Sequence, residues 1–350
     1  MSDAVKRLET AREAVALASV VCRGVQADLE GVRTALKDDR SPVTVADYAS
    51  QAVVAHVLSR ELGKVTLVAE ESATELRAQL EAGQRETLDR VLAAVSAVWP
   101  GATLESVLDM IDLGSADPPR DALHGFWTLD PIDGTKGFLR GEQYAVSLAW
   151  VEGGTPVVAA LGCPNLPADF GESFDEPDPH GRLFLAIKGD GCSVTPCDQP
   201  EADREPVLRL EPAEGEPVRV CESKESEHTA QEVTAEVMRR LGNEAGEASR
   251  LDSQAKYAVV ARGQADLYLR LPRPPKPGKP RYVERIWDHA AGALIATESG
   301  CAVTDALGNQ LDFGLGRGLE KNRGVVVGAP RVHGAAIGAI RDVGAAPPDG

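Results

Sequence analysis

The chain has 350 residues, 43% of them hydrophobic and 26% charged, enough apolar material for a large core and too much for global disorder. Its formal charge of −17 opposes a nucleic-acid backbone or an anionic membrane, both of which reward positive surface, but not a small anion met by metal ions. No apolar run approaches the roughly 18 residues of a membrane span, no leader pattern is present, and the six cysteines stand at no zinc-ligand spacing. We therefore expect a cytoplasmic monomer with free thiols and neither a membrane nor a nucleic-acid partner.

Residues 3–29 set Val5, Leu8, Ala11, Val15, Ala18, Val21 and Val25 at three- and four-residue spacing behind Ser2, which predicts a capped amphipathic helix. A second helix is expected from about Ala46 to Leu62, then a strand over KVTLVAEES ending in acids, then a helix over 74–98. FWTLD (126–130) reads as a short strand. AVSLAW and PVVAALG flank EGGT as a hairpin, and LFLAIKGDGCSV repeats the pattern around Gly189-Asp190-Gly191.

The stretch from Cys197 to Pro217, rich in Pro, Glu and Asp, suggests a boundary between an N-terminal portion, 1–217, and a C-terminal portion, 218–350. A long surface loop inside one domain fits the same composition. Beyond it VRVCES reads as a strand, 229–241 and SQAKYAVVARG as helices, and ADLYLRL as a strand. RPPKPGKP at 273–280 excludes regular structure, because proline lacks an amide donor and fixes φ. WDHAAGALIATESG is a helix stopped by Gly300, followed by strands around AVTD and GVVVGA and a last helix near 331–341.

The chemistry gathers around LDPIDGTKGFLRG. Pro131 pushes Asp130 toward an extended conformation at the strand end, so Asp130 and Asp133, on either side of the bend, can converge on one point. Two carboxylates with the Ile132 carbonyl between them form a hard oxygen set suited to Mg²⁺. The amides of Gly134 and Thr135, where a helical turn can begin, could meet an anion beside it. A tight turn with solvated acids fits the same six residues. Further acids at element ends, Asp47, Glu70, Glu71 and Asp288, favour a shared cleft; for Asp47 and Asp288 singly, helix capping is the competing reading.

VAEES, DPIDGT and WDHAAG, in this order, resemble the motifs of the lithium-sensitive, magnesium-dependent phosphatase superfamily that includes inositol monophosphatase. SPVTVADYASQ, DPIDGTKGFLRGEQYAVSLAWVEGG, LDSQAKYAVVARGQADLYLRLP and LDFGLGR resemble its 3′(2′),5′-bisphosphate nucleotidase branch. The resemblance spans roughly residues 5–332. It implies a layered αβαβα sugar-phosphatase fold, combining α+β and α/β portions, and two or three Mg²⁺ per active site. Glu70, Asp130, Ile132, Asp133 and Asp288 would hold them. Asp47 and Thr135 would act as the catalytic pair orienting a metal-activated water.

The implied reaction removes the 3′-phosphate of adenosine 3′,5′-bisphosphate to leave AMP, with 3′-phosphoadenylyl sulfate as a second substrate. Gly134, Thr135, Ser253, Lys256 and Arg270 would contact the bisphosphorylated nucleotide, with Asp252 nearby. In place of the branch's histidine loop stands ESKESEH, where only His228 can serve the base side. Local charge supports an anionic ligand, since residues 256–285 carry eight basic residues and two acids. Lys136, Arg140 and His289 fit structural or solvent-facing roles better than catalytic ones. Two alternatives remain at this stage, an inositol polyphosphate 1-phosphatase using the same metal core and a non-catalytic phosphometabolite sensor.

Overall fold

A computed structural model of the protein describes residues 2–30, 41–119, 124–224, 231–242, 248–272 and 281–345. Helix α1 (Asp3–Glu30) begins where the Ser2 hydroxyl accepts from the Val5 amide, the expected cap. It packs along α2 (Ser41–Leu62), and the pair covers one face of a sheet ordered β1-β2-β3-β4-β5-β6-β7. These strands are β1 (Leu67–Ala69), β2 (Phe126–Asp133), β3 (Ala145–Glu152), β4 (Thr155–Cys163), β5 (Arg182–Ile187), β6 (Gly191–Pro196) and β7 (Glu205–Val207). Only β1 and β2 pair in parallel; the rest form an antiparallel meander.

Strand alternation assigns the two faces. Trp127, Leu129, Val146, Leu148, Val158, Ala160, Leu183 and Leu185 point into a first core shared with α1 and α2. Their neighbours Phe126, Ala145, Ala149, Ala159, Leu161 and Phe184 point into a second core. There α8 (Ala255–Ala261) and α9 (Ala290–Glu298) form a middle layer, nearly every residue of which is buried. The middle layer also meets a second sheet, ordered β11-β12-β10-β8-β9. Its strands are β8 (Val220–Glu222), β9 (Ser249–Arg250), β10 (Leu267–Arg270), β11 (Ala302–Thr304) and β12 (Val325–Gly328). Leu267, Leu269 and Val326 turn the other way, into a third core closed by α7 (Gln231–Arg240) and α10 (Pro330–Asp342). Helices, sheet, helices, sheet, helices is the αβαβα layering expected from the sequence.

Several expectations need correction. The single helix over 74–98 is two, α3 (Thr74–Glu81) and α4 (Glu86–Ser96), because the chain turns at Gly83 with φ +73°. A helix absent from the sequence reading, α5 (Leu104–Leu113), starts at a Thr103–Ser106 capping box. The strand over KVTLVAEES shortens to Leu67–Ala69, so Glu70 lies just past its end. α2 starts at Ser41, which places Asp47 in its second turn rather than at its start, and Asp288 precedes α9 by two residues. Strand β7 occupies part of the 197–217 stretch, and the two sheets separate between Val207 and Val220. Among the described residues no helix is long and apolar enough to cross a membrane.

Candidate active site

The bend in DPIDGT is a β-bulge. Asp130 pairs with Ser147 and Asp133 with Ala145, so the register shifts between them against β3. Proline, with no amide to give the ladder, suits that place. The Pro131 carbonyl accepts instead from the Ser50 hydroxyl of α2 at 2.9 Å. One position on, Gln51 holds the other acidic turn: its Oε1 accepts from the Glu71 amide at 3.1 Å, and its Nε2 donates to the Glu71 and Ile111 carbonyls, both at 2.8 Å. Asp47, Ser50 and Gln51 fall at i, i+3 and i+4 and therefore share one helix face. That face meets both acid-bearing turns, which is how residues over 80 positions apart in sequence reach one cleft.

The third contributor is the LDSQ turn. Ser253 has φ +69°, the only described non-glycine residue with positive φ. The Gln254 amide donates to Asp133 Oδ2 at 2.5 Å, while its side chain donates to the Trp287 carbonyl at 2.9 Å and accepts from the Gly292 amide at 3.0 Å. Gln254 thus ties Asp133 to the residue before Asp288 and to α9. Gly134, at φ +88°, caps α6 (Thr135–Arg140); a Cβ there would lie 2.8 Å from the Ser253 Cβ. Only glycine lets the two turns approach so closely.

Electrostatics show the acids facing one another. Asp130, 2% exposed, has its carboxyl pushed well up by burial and then by Glu70, Asp133, Asp288 and Asp47. Asp288 is raised by burial and by Asp133, and Asp47 by burial, Glu71 and Glu70. Glu70 is exposed by surface area, yet its carboxyl is pushed up to about 7 by desolvation and by Glu71 and Asp133, against a hydrogen bond with Asp130 and the charge of Arg285. Asp130 Oδ1 is buried without a hydrogen-bond partner. A buried acceptor ringed by other carboxylates fits a hard divalent cation, which satisfies oxygen lone pairs that no donor here reaches.

Among the described residues the tightest set of ligand-type atoms, within 4.8 Å of one another, is a different one: Glu284, Asp288 and His289. Two of its members, Glu284 and His289, are already engaged. Glu284 pairs with Arg270 at 2.6 Å, and His289 uses one ring nitrogen on Glu284 at 3.3 Å and the other on the Tyr257 hydroxyl at 2.8 Å. Burial alone would raise Glu284, yet Arg270 and His289 hold it down at about 2. We read this network as the support on which Asp288 rests. His289 is therefore structural, as expected, and Arg140 pairs with Asp252 and Glu142.

The remaining expected residues divide. Thr135 stands exposed at the first position of α6, and no hydrogen bond joins it to Asp47 among the described residues. Arg270, expected to meet a phosphate, is largely buried with Glu284 as its partner. Lys256 is buried; its ammonium donates to the Leu251 carbonyl at 3.2 Å and lies 5.5 Å from the Tyr268 ring centre. It supplies positive charge beneath the LDSQ turn rather than a free donor. His228 lies outside the described residues. Sequence reasoning missed Ser50, Gln51, Gln254 and Glu284. The first two could have been found from their helical spacing to Asp47, whereas nothing local marks the others.

Comparison with known proteins shows the family and the fold. The family model described as the inositol monophosphatase family matches residues 3–345. A 3′(2′),5′-bisphosphate nucleotidase of Schizosaccharomyces pombe is 38% identical over 336 residues, covering 93% of this chain and 91% of the relative. One from Emericella nidulans is 41% identical over 327 residues, covering 89% and 90%. Among solved structures, an inositol monophosphatase from Anabaena superposes with a TM-score of 0.60 at 18% identity, covering 99% of this chain and 98% of that one; at that identity the likeness speaks for the fold.

Proposed function

The chain belongs to the inositol monophosphatase family, and from that premise we propose that it is a Mg²⁺-dependent phosphatase removing the 3′-phosphate of adenosine 3′,5′-bisphosphate. The observation that carries the reading is a buried Asp130 oxygen with no donor, on a carboxyl pushed up by burial and by the charges of Glu70, Asp133, Asp288 and Asp47. Glu70, Asp130, the Ile132 carbonyl, Asp133 and Asp288 would hold the cation. When bound, it supplies Lewis acidity that makes water a nucleophile near neutral pH and offsets charge on the departing ester oxygen.

The chain's own residues do the rest. Asp47, on the α2 face shared with Ser50 and Gln51, would take up the proton of the attacking water. The exposed Thr135 hydroxyl, at the mouth of the same turn, orients that water. The Gly134 and Thr135 amides would donate to a phosphate oxygen. Ser253 would face the nucleotide, with Lys256 and Arg270 supplying positive charge behind it from their places on the Leu251 carbonyl and Glu284, and His228 would serve the base side on sequence grounds. Gln254, bonded to Asp133, joins the nucleotide side to the carboxylates, so ligand seating and metal geometry are mechanically linked.

The nucleotide is favoured over an inositol phosphate by the LDSQAKY turn sitting directly on Asp133 and by the names of the relatives above 30% identity. The test is phosphate release from adenosine 3′,5′-bisphosphate, 3′-phosphoadenylyl sulfate and an inositol 1,4-bisphosphate compared at equal concentration. A clear preference for the adenosine compounds supports the proposal; a preference for the inositol ester overturns it; no release from any would leave the sensor.

A further inference from the structure

Arg317 belongs to LDFGLGR, between β11 and β12, and no role above uses it. Its backbone is zipped to the segment that carries Asp288. The Arg317 carbonyl accepts from the Ile286 amide at 3.2 Å, Gly318 bridges Arg285, and the Leu319 amide donates to the Glu284 carbonyl at 2.8 Å. Its side chain crosses to the first sheet. Nη2 donates to the carbonyl of Ala69, the last residue of β1, at 2.5 Å, and Nη1 to the Ala116 carbonyl at 3.1 Å. On the way the guanidinium lies 4.8 Å from the centre of the Trp287 ring, and Arg285 lies over that ring at 5.8 Å.

Two of these contacts, Ala69 and Trp287, end next to carboxylates of the proposed set. Glu70 follows Ala69 and Asp288 follows Trp287, one from each sheet's side of the cleft. β1 contributes only three residues to the sheet and is joined on its other edge only at Gly114 and Ser115, so few ladder bonds fix the exit direction of Glu70. A planar guanidinium suits the task, because its fork reaches two carbonyls while its face stacks on indole. A lysine reaches one carbonyl and offers no plane.

We propose that Arg317 is a positioning residue that fixes Glu70 relative to Asp288, and thereby the affinity of the carboxylate set for a divalent cation. This rests on the metal-holding role proposed above. Arg317 touches neither substrate nor cation; it acts through Ala69 and Trp287.

The test is calorimetric titration of Mg²⁺ into metal-free protein, wild type against Arg317→Lys, with melting temperatures in EDTA and with the Mg²⁺ dependence of phosphate release. Arg317→Lys should weaken Mg²⁺ binding roughly 10–100-fold, the range seen when groups that orient metal ligands are lost. Its turnover should recover at high Mg²⁺, giving a change in the Mg²⁺ requirement rather than in kcat. Arg209→Lys is the comparison: Arg209 anchors the buried Asp266 in the outer part of the fold, so its loss should lower the melting temperature and leave the Mg²⁺ constant alone.

An unchanged Mg²⁺ constant in Arg317→Lys overturns the inference, as does equal weakening in Arg209→Lys, which would make the effect general softening. Wild-type protein that binds no Mg²⁺ overturns it as well. Binding is read without substrate, so the two claims fail separately. Wild-type protein that binds Mg²⁺ but releases no phosphate from the nucleotide sinks the substrate reading while the Arg317→Lys shift still supports this one.

Discussion

Replacing Arg270 should destabilise the protein far more than removal of a ligand contact would. Its partner Glu284 is largely buried, the pair is 2.6 Å apart, and both side chains are 13% exposed. Glu284 is held at about 2 against an ordinary 4.5, and the first effect on it, burial, opposes that fall. The difference corresponds to about 3 kcal/mol of folding stability. That agrees with the roughly 3–5 kcal/mol lost when one member of a buried pair is removed and the other charge is stranded. We therefore expect Arg270→Met to lose about 3–5 kcal/mol in denaturant unfolding of the metal-free protein at pH 7.

The double variant Arg270→Met/Glu284→Gln, which strands no charge, should recover most of that loss. The pH sign follows from the depressed carboxyl: its contribution is full above the unfolded value near 4.5 and fades as pH falls toward about 2. The gap between wild type and Arg270→Met should therefore narrow in acid. Additive effects of the two single changes, or a gap that widens below pH 4.5, would refute the buried-pair account and return Arg270 to a purely ligand-facing role.

Asp130→Asn should raise the melting temperature of metal-free protein by removing a buried charge from among like charges, yet abolish phosphate release; a fall in both would mean that Asp130 is needed for folding. Gln51→Ala removes three hydrogen bonds that hold the Glu71 turn and α5, at about 1 kcal/mol each. Its thermal denaturation should show the loss, and it should require more Mg²⁺ for half-maximal activity. Asp266→Asn removes the charge paired with the buried Arg209 and the more exposed Arg219, and stranding Arg209 should cost about 3–5 kcal/mol in the same unfolding assay with no change in the Mg²⁺ requirement.

Layering was legible because alternation along β2 to β5 and continuous burial of α8 and α9 are written in residue type: Trp127, Leu129, Leu148 and Leu185 on one face, Phe126, Ala149, Leu161 and Phe184 on the other. The acids were legible because Asp130-Pro131 forces a bend whatever surrounds it. The break at Gly83 and the cap at Thr103 were also readable, from a turn glycine and a Thr/Ser pair, but were overlooked in a helical pattern that runs on either side. Glu284, Gln254 and Arg317 were not readable. Each acts through contacts made 14 to 248 positions away, and an acid, an amide or a guanidinium carries no local mark of a distant partner. For the same reason Arg270 looked like a free phosphate donor until its counter-charge appeared in space.

The central claim is that the converging carboxylates act by holding a divalent cation. Its most direct test is the rate of phosphate release from adenosine 3′,5′-bisphosphate by EDTA-stripped protein as Mg²⁺ is added back. The account predicts no release without the metal and a saturable rise with it, absent in Asp130→Asn. Hydrolysis that persists in EDTA, or an Asp130→Asn protein that follows the wild-type curve, would contradict it.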